Sequence, residues 1–291
     1  MKNTAIILTF NESIHLERCV ASIKDYFYKI YVIDSFSSDK TKEIAKKLPV
    51  FFLENKFINH SKQFNWALKQ IDKNTDWVFR IDADEYITKS LGFEIFSKLE
   101  KLDESIKGVF IPRKIVFQKK LIKFGGINPT KVLRLFRYGY GICDSRWMDE
   151  HIKVNGKTID FTHSIVDENL KPITWWIDKH NNYASKEAYE LIIHKNIILN
   201  KKRNSNKLDH KKIDFYYEAP IILRSFLYFF YRYFINLGFL DGIKGFSFHF
   251  LQALWYRLLV DIKYLEVMDK YKNKKYSLKE IIKEILLIDT E

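Results

Sequence analysis

Cysteine is scarce in this chain of 291 residues, in which only Cys19 and Cys143 occur. Two cysteines at this distance form neither a disulfide framework nor a zinc-binding spacing, so a reducing compartment is expected. The N-terminal apolar run ends at Asn11 and Glu12, which makes it too short for the apolar centre of a signal peptide, and no cleavage site follows it. The sequence therefore predicts a protein that works in the cytoplasm.

Several motifs of nucleotide and nucleic-acid binding are also absent. Neither G-x-G-x-x-G nor G-x-x-x-x-G-K-[ST] occurs, so a dinucleotide-binding fold and a P-loop are not supported. No helix-turn-helix, RRM or zinc pattern appears either, although the formal net charge is +13. That charge favours an anionic partner, such as nucleic acid, an acidic membrane or a phosphorylated substrate. The lysine-rich residue bias of an AT-rich genome would explain it equally well.

The first half of the chain alternates between short apolar runs and helical spacings. The runs predict strands over residues 5–9, 30–33, 50–53 and 77–81, and the spacings predict helices over residues 14–26, 40–47 and 61–71. Strands and helices that alternate at this spacing indicate βαβ units around a parallel sheet. The predicted fold class is therefore α/β.

Polar side chains follow three of the predicted strands. Thr9 ends the first strand, Asp34 ends the second, and residues 82–85 follow the fourth. Ligands of parallel sheets collect at the carboxyl ends of the strands, so this edge is the predicted site. Clustered carboxylates need a counter-charge, and Mg²⁺ or Mn²⁺ with a substrate diphosphate would supply it to Asp82 and Asp84. A solvated turn would also explain an isolated D-x-D triplet, but a triplet directly after a buried strand favours the metal site.

The second half of the chain has a different pattern. Residues 109–113 and 132–137 are predicted strands, and the basic residues 195–212 are interpreted as a linker or an exposed surface. Residues 221–240 and 246–261 are predicted helices, with Gly238–Gly245 as the turn between them.

The first tail helix carries a polar stripe at helical spacing, formed by Arg224, Tyr228, Arg232 and Asn236. The two arginines argue against a membrane span, because a charge at mid-bilayer costs about 2.5–3.5 kcal/mol. One polar stripe opposite an apolar face is typical of a helix that lies in the membrane interface. An amphipathic hairpin packed on the sheet domain is the alternative.

Five ordered motifs carry a family resemblance: ILTFNE, VIDSFSSDKT, KQFNWAL, RIDADEY and WMDEHI. Together with the tail segment GFLDGIKGFSFHFLQALWYR, they resemble the inverting glycosyltransferases of family 2. Within that family they are similar to the bacterial group that adds sugars to lipopolysaccharide core or other lipid-linked glycans. The resemblance runs from Thr4 to about Lys263.

The resemblance implies a GT-A fold, a Rossmann-like and mostly parallel sheet flanked by helices, here followed by a C-terminal amphipathic helical region. On this basis residues 1–212 form the catalytic domain, with a nucleotide-binding half (1–105) and an acceptor half (106–212). Residues 213–291 form a helical region that associates with the membrane.

The resemblance also assigns seven residues to nucleotide-sugar binding, namely Thr9, Asn11, Glu12, Asp34, Gln63, Asn65 and Asp82. Asp34 matches the acid that contacts the base. Asp82 and Asp84 match the D-x-D acids, both as metal residues and with Asp84 as the expected direct ligand of Mn²⁺ or Mg²⁺. Phe64 stands where many family members have an arginine, so a phosphate contact from that segment is in doubt.

The resemblance places the catalytic base in WMDEHI. Inverting transfer is a single displacement, so one carboxylate must take the proton of the acceptor hydroxyl as its oxygen attacks. Adjacent residues on a strand point to opposite faces, so only one of Asp149 and Glu150 is expected to reach the acceptor. We favour Glu150, because related sequences keep a hydrophobic-X-Glu-His pattern, and Asp149 is the alternative.

These expectations describe a metal-dependent inverting glycosyltransferase, peripheral on the inner face of the cell membrane. It would move a hexose from a UDP-linked donor to a lipid-linked saccharide through a β linkage, with an anionic membrane surface and no nucleic acid as further partners. Two alternatives are a metal-dependent sugar nucleotidyltransferase and a basic nucleic-acid-binding protein. The first usually needs a glycine-rich basic loop, which residues 9–15 lack, and the strand-end acids would repel the phosphates of the second.

Overall fold

The structure is a computed structural model that describes residues 1–144, 151–201, 219–272 and 276–288. The chain divides into two compact units. Unit 1 comprises Met1–Lys123 and Ile127–Lys171, and unit 2 comprises Phe124–Gly126 and Pro172–Glu291. The predicted domain boundary between residues 212 and 213 lies outside the described residues and stays a prediction.

Unit 1 is built on a mixed β-sheet. The strands of this unit form that sheet and a separate two-stranded sheet, which consists of β9 and β10. They are β1 (Thr4–Thr9), β2 (Lys29–Asp34), β3 (Phe51–Glu54), β4 (Trp77–Asp82), β5 (Glu85–Ile87), β6 (Ile106–Phe117), β7 (Lys120–Leu121), β8 (Thr130–Arg137), β9 (Gly141–Cys143), β10 (Ile152–Val154), β11 (Lys157–Asp160) and β12 (Ile165–Glu168). The main order is β3-β2-β1-β4-β8-β6-β12-β5, while β7 and β11 pair with β6 and β9 pairs with β10.

The first half of this sheet is parallel. β3, β2, β1 and β4 all run in one direction. β8 joins β4 antiparallel, and β6 joins β8 antiparallel. β12 then pairs parallel with β6 and antiparallel with β5, which brings the residues after β12 back towards the end of β4. The predicted α/β class is confirmed.

The helices of unit 1 cover both faces of the sheet. They are α1 (Leu16–Ile23), α2 (Thr41–Ala45), α3 (His60–Gln70) and α4 (Lys89–Lys98). Leu16 of α1 and Leu91 of α4 enter one buried apolar cluster, and Phe64 of α3 enters another. Asn59 caps α3 by accepting a hydrogen bond from the backbone N–H of Lys62. The predicted strands and helices of this half are therefore present, with ends shifted by a few residues.

Unit 2 is helical in its described part. Its helices are α5 (Ile173–Lys201), α6 (Leu223–Phe230), α7 (Gly242–His249), α8 (Tyr256–Lys272) and α9 (Leu278–Leu286). Side chains from α5, α8 and α9 form one apolar core that includes Leu191, Val260 and Ile282. Residues 195–201, interpreted as part of a linker or an exposed surface, belong to α5, whose preceding turns pack in that core. The remainder of the predicted linker lies outside the described residues.

The polar stripe of the first tail helix faces the interior of unit 2. Arg224 and Arg232 are 3% and 2% exposed. The Arg224 Nε donates a hydrogen bond to Asp261 Oδ1 over 3.0 Å, and the Arg232 Nη1 donates to Gln252 Oε1 over 2.5 Å. The two arginines of the stripe therefore hydrogen-bond to side chains of the same unit.

The opposite side of this helix is apolar and exposed. Together with Ile243 of α7 we call it the outer hairpin face, and its other members are Phe226, Leu227, Phe230, Phe234 and Ile235, all six between 48% and 79% exposed. Within the described ranges, every helix is either too short or too polar to cross a membrane. A large exposed apolar patch of this kind marks a surface that contacts something other than water.

The turn between the tail helices differs from the predicted one. The chain turns over Gly238–Asp241, and α7 already begins at Gly242. Gly245 thus lies inside the first part of a helix, where a side-chain Cβ would come within 2.3 Å of the Asp241 Cβ and 3.0 Å of the Gly238 carbonyl oxygen. The prediction of a turn through Gly245 was wrong, because this glycine permits close packing rather than a change of direction.

Candidate active site

The carboxyl ends of three parallel strands meet at one edge of the sheet in unit 1. Thr9, the last residue of β1, lies opposite Asp34, the last residue of β2. On the other side of β1, Leu8 lies opposite Asp82, the last residue of β4. The strand ends identified from the sequence therefore come together as expected for a parallel sheet.

Asp34 organises the loop that follows β2. It has no exposed surface, and its Oδ1 accepts hydrogen bonds from the Thr9 Oγ1 over 2.9 Å and the Ser37 Oγ over 2.6 Å. Its Oδ2 accepts from the backbone N–H of Ser37 over 2.7 Å. The carboxylate thus ties the end of β1 to the loop after β2, and its expected contact with the base stays a prediction.

Asn11 also links the loop after β1 to the loop after β2. Its backbone has a φ of 56°, a left-handed conformation that asparagine adopts more readily than most residues. The Asn11 Oδ1 accepts a hydrogen bond from the backbone N–H of Ser38 over 2.8 Å, and the backbone N–H of Asn11 donates to the Ser37 Oγ over 2.7 Å. The two loops are therefore fixed to each other beside the edge.

Glu12 anchors a charged network at the start of α1. Its Oε2 lies 2.5 Å from the Nδ1 of the buried His15, and its Oε1 lies 2.7 Å from the Lys171 Nζ. The His15 Nε2 accepts a hydrogen bond from the backbone N–H of Leu170 over 2.8 Å, which places the ring proton on Nδ1. Glu12 and His15 together hold residues 170–171 against this end of the sheet.

The two predicted binding residues of α3, Gln63 and Asn65, have different hydrogen-bond partners. The Gln63 Nε2 donates to the Ser35 Oγ over 3.2 Å, so Gln63 does lie beside the loop after β2. Asn65 instead exchanges two hydrogen bonds with the backbone of Cys143 in β9. Phe64 is fully buried, and the Arg80 guanidinium lies 5.7 Å from the centre of its ring.

Asp82 and Glu85 share a buried arginine. The Arg134 Nη2 donates to Asp82 Oδ2 over 2.7 Å and to Glu85 Oε1 over 2.6 Å. The Glu85 Oε2 accepts a hydrogen bond from the backbone N–H of Asp82 over 3.0 Å, and an Arg80 nitrogen lies 3.6 Å from Asp82 Oδ1. Arginines of the chain itself therefore supply counter-charge to Asp82, one of the two acids for which the sequence predicts a metal ion, and Arg134 also binds Glu85.

The surroundings move the pKa values of these two acids in opposite directions. Desolvation alone would raise the pKa of Asp82, but the charges of Arg134 and Arg80 hold it well below its usual range. Desolvation raises the pKa of Glu85 to about 8, because Arg134 opposes it only in part and the negative charge of Asp82 adds to it. Asp82 is thus an anion at neutral pH.

Asp84 has a different partner. Its Oδ2 accepts a hydrogen bond from the Asn169 Nδ2 over 3.0 Å, and in the described part of the chain no cationic side chain pairs with it. The described residues also contain no group of three histidine, cysteine or acidic side chains that could hold a metal alone. One carboxylate oxygen with substrate phosphates and water still matches the ligands that Mg²⁺ prefers. The donor set therefore fits a metal–diphosphate pair at Asp84.

The two candidates for the catalytic base, Asp149 and Glu150, lie outside the described residues. The site also contains residues that the sequence did not single out. Arg134 sits in the apolar strand VLRLFR, and an arginine inside such a strand signals a buried partner. Arg18 and Asn169 gave no such signal, because their contacts join residues far apart in the chain.

The α/β sheet with carboxylates at the ends of its parallel strands has the GT-A architecture of a glycosyltransferase. Residues 4–138 match the family described as glycosyl transferase family 2. The matched stretch contains the four parallel strands β1–β4 and the D-x-D acids, and it ends just after β8.

Several curated proteins are similar to this chain. An uncharacterised glycosyltransferase of Rickettsia conorii is 26% identical over 242 residues, 78% of this chain and 82% of the relative. One from Rickettsia bellii is 38% identical over 94 residues, but the match spans only 31% of that protein's length. The lipopolysaccharide core biosynthesis glycosyltransferase LpsC of Rhizobium meliloti is 27% identical over 203 residues, 64% of this chain and 70% of the relative.

Solved structures are similar to this chain at a greater distance. Staphylococcus aureus TarS 1–349 in complex with UDP-GlcNAc has 14% identity and a TM-score of 0.44, with 95% of this chain and 93% of that chain covered. Glucosyl-3-phosphoglycerate synthase from Mycobacterium tuberculosis, in complex with Mn²⁺, UDP and glucosyl-3-phosphoglycerate, has 17% identity and a TM-score of 0.34, with 40% and 44% covered. At these values the ligands of those proteins are facts about those proteins alone.

Proposed function

We propose that the protein transfers a hexose from a UDP-linked donor to a lipid-linked saccharide, with inversion to a β linkage, in lipopolysaccharide, lipooligosaccharide or related surface-glycan synthesis. The observation that carries the proposal is the hydrogen bonding of the Asp84 carboxylate. Asp84 follows β4 at the edge where three strands end. Among the described residues, its carboxylate has a neutral amide as its only hydrogen-bond donor, while Arg134 donates to Asp82 and Glu85. The family and the LpsC relative support the choice of a glycan acceptor.

The proposed reaction is one displacement. The acceptor hydroxyl oxygen forms a bond to the anomeric carbon as the bond from that carbon to the diphosphate oxygen breaks. The hydroxyl proton passes to a carboxylate, Glu150 or Asp149, and the electron pair of the broken bond leaves on UDP. A bound Mn²⁺ or Mg²⁺, held by Asp84, would supply positive charge to the leaving diphosphate.

The described residues have supporting roles in this reaction. Thr9, Asn11 and Glu12 shape the turn that faces the nucleotide, and Asp34 fixes the loop beside it. Asp82, an anion set in place by Arg134, is directed at a ribose hydroxyl rather than at the metal. This assignment replaces a shared metal role for the two D-x-D acids, because the charge of Asp82 is already matched by arginines.

A donor panel tests the function. Purified protein is incubated with Mn²⁺, a membrane extract as acceptor, and UDP- or GDP-linked hexoses in turn, and the released nucleotide is measured. Release of UDP from one UDP-hexose is expected. Release of pyrophosphate from UTP and a sugar phosphate would instead indicate a sugar nucleotidyltransferase, and a salt-dependent shift of DNA without UDP binding would indicate a nucleic-acid-binding protein.

Replacing the catalytic base should separate chemistry from binding. We expect Glu150→Gln to lower kcat by about 100-fold or more, because proton transfer by a positioned base contributes at least that factor. Affinity for UDP should stay unchanged, as measured by calorimetry. If Asp149→Asn gives this pattern and Glu150→Gln does not, Asp149 is the base.

We further propose that the protein binds the cytoplasmic surface of the cell membrane through the outer hairpin face. The buried arginine stripe leaves this face purely apolar, and an acceptor anchored in lipid requires an enzyme that stays at the lipid surface. The positive charge of the chain adds attraction to anionic lipids, worth about 1 kcal/mol for each lysine or arginine near the surface.

Polar substitutions on this face should release the protein from lipid. The double variant Phe226→Ser and Phe230→Ser is expected to lower binding to phosphatidylglycerol vesicles at least about tenfold, because burial of one phenylalanine contributes roughly 1.5–3 kcal/mol. Flotation with vesicles measures the bound fraction. The matched control is Phe93→Ser with Phe96→Ser, two exposed phenylalanines on α4 of unit 1. Equal loss in both variants, or in neither, would contradict the docking role of the hairpin.

A further inference from the structure

We infer that Asn169 is a positioning residue for Asp84, and that it orients this carboxylate for a divalent cation without neutralising its charge. The inference rests on the proposed function, since it assigns a role in cation binding at the same site. Asn169 lies just after β12, far along the chain from residues 82–85, yet its Nδ2 lies 3.0 Å from Asp84 Oδ2.

The charges of the partners distinguish Asp84 from its neighbours. Asp82 and Glu85 both accept a hydrogen bond from Arg134, which is a cation of the protein itself. Asp84 receives a hydrogen bond from a neutral amide, which fixes one carboxylate oxygen and leaves the full negative charge in place. A lysine or arginine at position 169 would compete with a cation for Asp84, whereas asparagine holds the carboxylate and leaves Oδ1 for the ion.

The orientation of the Asn169 amide is set by its own backbone neighbour. The Oδ1 accepts a hydrogen bond from the backbone N–H of Lys171 over 2.9 Å. A backbone N–H is only a donor, so the atom that faces it must be the oxygen of the amide. The Nδ2 therefore faces Asp84, and the direction of this hydrogen bond is unambiguous.

The segment Glu168–Lys171 is itself tied to the candidate site. The backbone N–H of Glu168 donates to the Asp84 carbonyl oxygen over 3.1 Å. Arg18 donates from Nη2 to the carbonyl oxygens of Asp84 and Glu168, and from Nη1 to Glu168 Oε2. Leu170 and Lys171 contact His15 and Glu12 in the turn before α1, so every residue of the segment has a hydrogen-bond partner. Asn169 is thus supported on both sides, as expected of a residue that orients a ligand-binding group.

The test compares Asn169→Ala, Asn169→Lys and a control, Asn155→Ala, an exposed asparagine in a turn of the same unit. Binding of Mn²⁺ in the presence of UDP is followed by electron paramagnetic resonance, which needs no turnover. Asn169→Ala should raise the Kd for Mn²⁺ about tenfold or more, as loss of such supporting groups does elsewhere. Asn169→Lys should abolish detectable binding, and the control should bind like the wild type.

Kinetics distinguish positioning from a general structural role. For Asn169→Ala, saturating Mn²⁺ should restore kcat to within about twofold of wild type, since the reacting groups are intact and only the cation affinity has changed. Thermal unfolding checks that each variant is folded. Wild-type Mn²⁺ binding in Asn169→Ala would overturn the inference and leave the proposed transfer intact. If the wild type itself binds no Mn²⁺ with UDP, both the inference and the metal role of Asp84 fail.

Discussion

Asp84→Asn is expected to lower kcat for UDP release by about 1,000-fold, because loss of the cation at the leaving diphosphate removes several kcal/mol of transition-state stabilisation. Asparagine has nearly the same size as aspartate, so packing after β4 should change little. What changes is the charge. In the structure Asp84 is the acid of residues 82–85 whose charge is not matched by a cationic side chain of the described chain, so its neutralisation acts directly on cation binding.

The matched control is Asp76→Asn. Asp76 is an exposed acid next to the opposite end of the same strand, where its Oδ2 accepts a hydrogen bond from the backbone N–H of Lys2 over 2.7 Å. This variant should keep wild-type turnover. A second measurement adds EDTA to the wild type, which should lose activity and recover it with Mn²⁺. Turnover of Asp84→Asn above a tenth of the wild-type value, or wild-type turnover in EDTA, would refute a metal role for Asp84.

Arg134→Met is expected to lower the free energy of unfolding by about 3–5 kcal/mol, the usual cost of leaving a buried charge without its partner. Methionine fills much of the space of the arginine stem but cannot donate to Asp82 and Glu85. The Arg134 side chain is 6% exposed and that of Glu85 is 1% exposed, so water cannot replace the hydrogen bond to Glu85, whereas Asp82, at 34% exposed, is hydrated in part. Urea unfolding followed by circular dichroism measures the change.

Two further variants serve as the control and the rescue for Arg134→Met. Lys131→Met removes a cation from the same strand, but its partner Asp160 and the lysine itself are about half exposed, so the loss should stay within about 1 kcal/mol. Arg134→Met combined with Asp82→Asn and Glu85→Gln should recover part of the stability, because the unmatched charges are then removed as well. Equal losses for Arg134→Met and Lys131→Met would show that the buried arrangement contributes little.

The first four strands could be predicted from the sequence because each is a short apolar run between helical spacings. Their parallel order then brings Thr9, Asp34 and Asp82 to one edge, and no further information was needed for that step. The second half of the sheet was harder to predict from the sequence. β5, β7 and β9–β12 are two to four residues long, and their pairing depends on partners far away in the chain.

The charges around the D-x-D acids show most clearly what the sequence could not provide. Clustered acids do need a counter-charge, but the sequence does not say whether an ion or the protein supplies it. The antiparallel approach of β8 to β4 brings Arg134 to Asp82, and the pairing of β12 with β5 brings Asn169 to Asp84. The two acids of one short motif thereby acquire different partners, and this difference follows from tertiary structure alone.

The buried arginines of the tail have a practical consequence for handling the protein. Because Arg224 and Arg232 form hydrogen bonds inside unit 2, the described side chains that make up the outer hairpin face are all apolar, and in aqueous buffer this face favours contact between copies of the protein. We expect preparations without detergent to self-associate and to elute early from size-exclusion columns. A mild detergent or a lipid nanodisc is therefore the appropriate medium in which to study this enzyme.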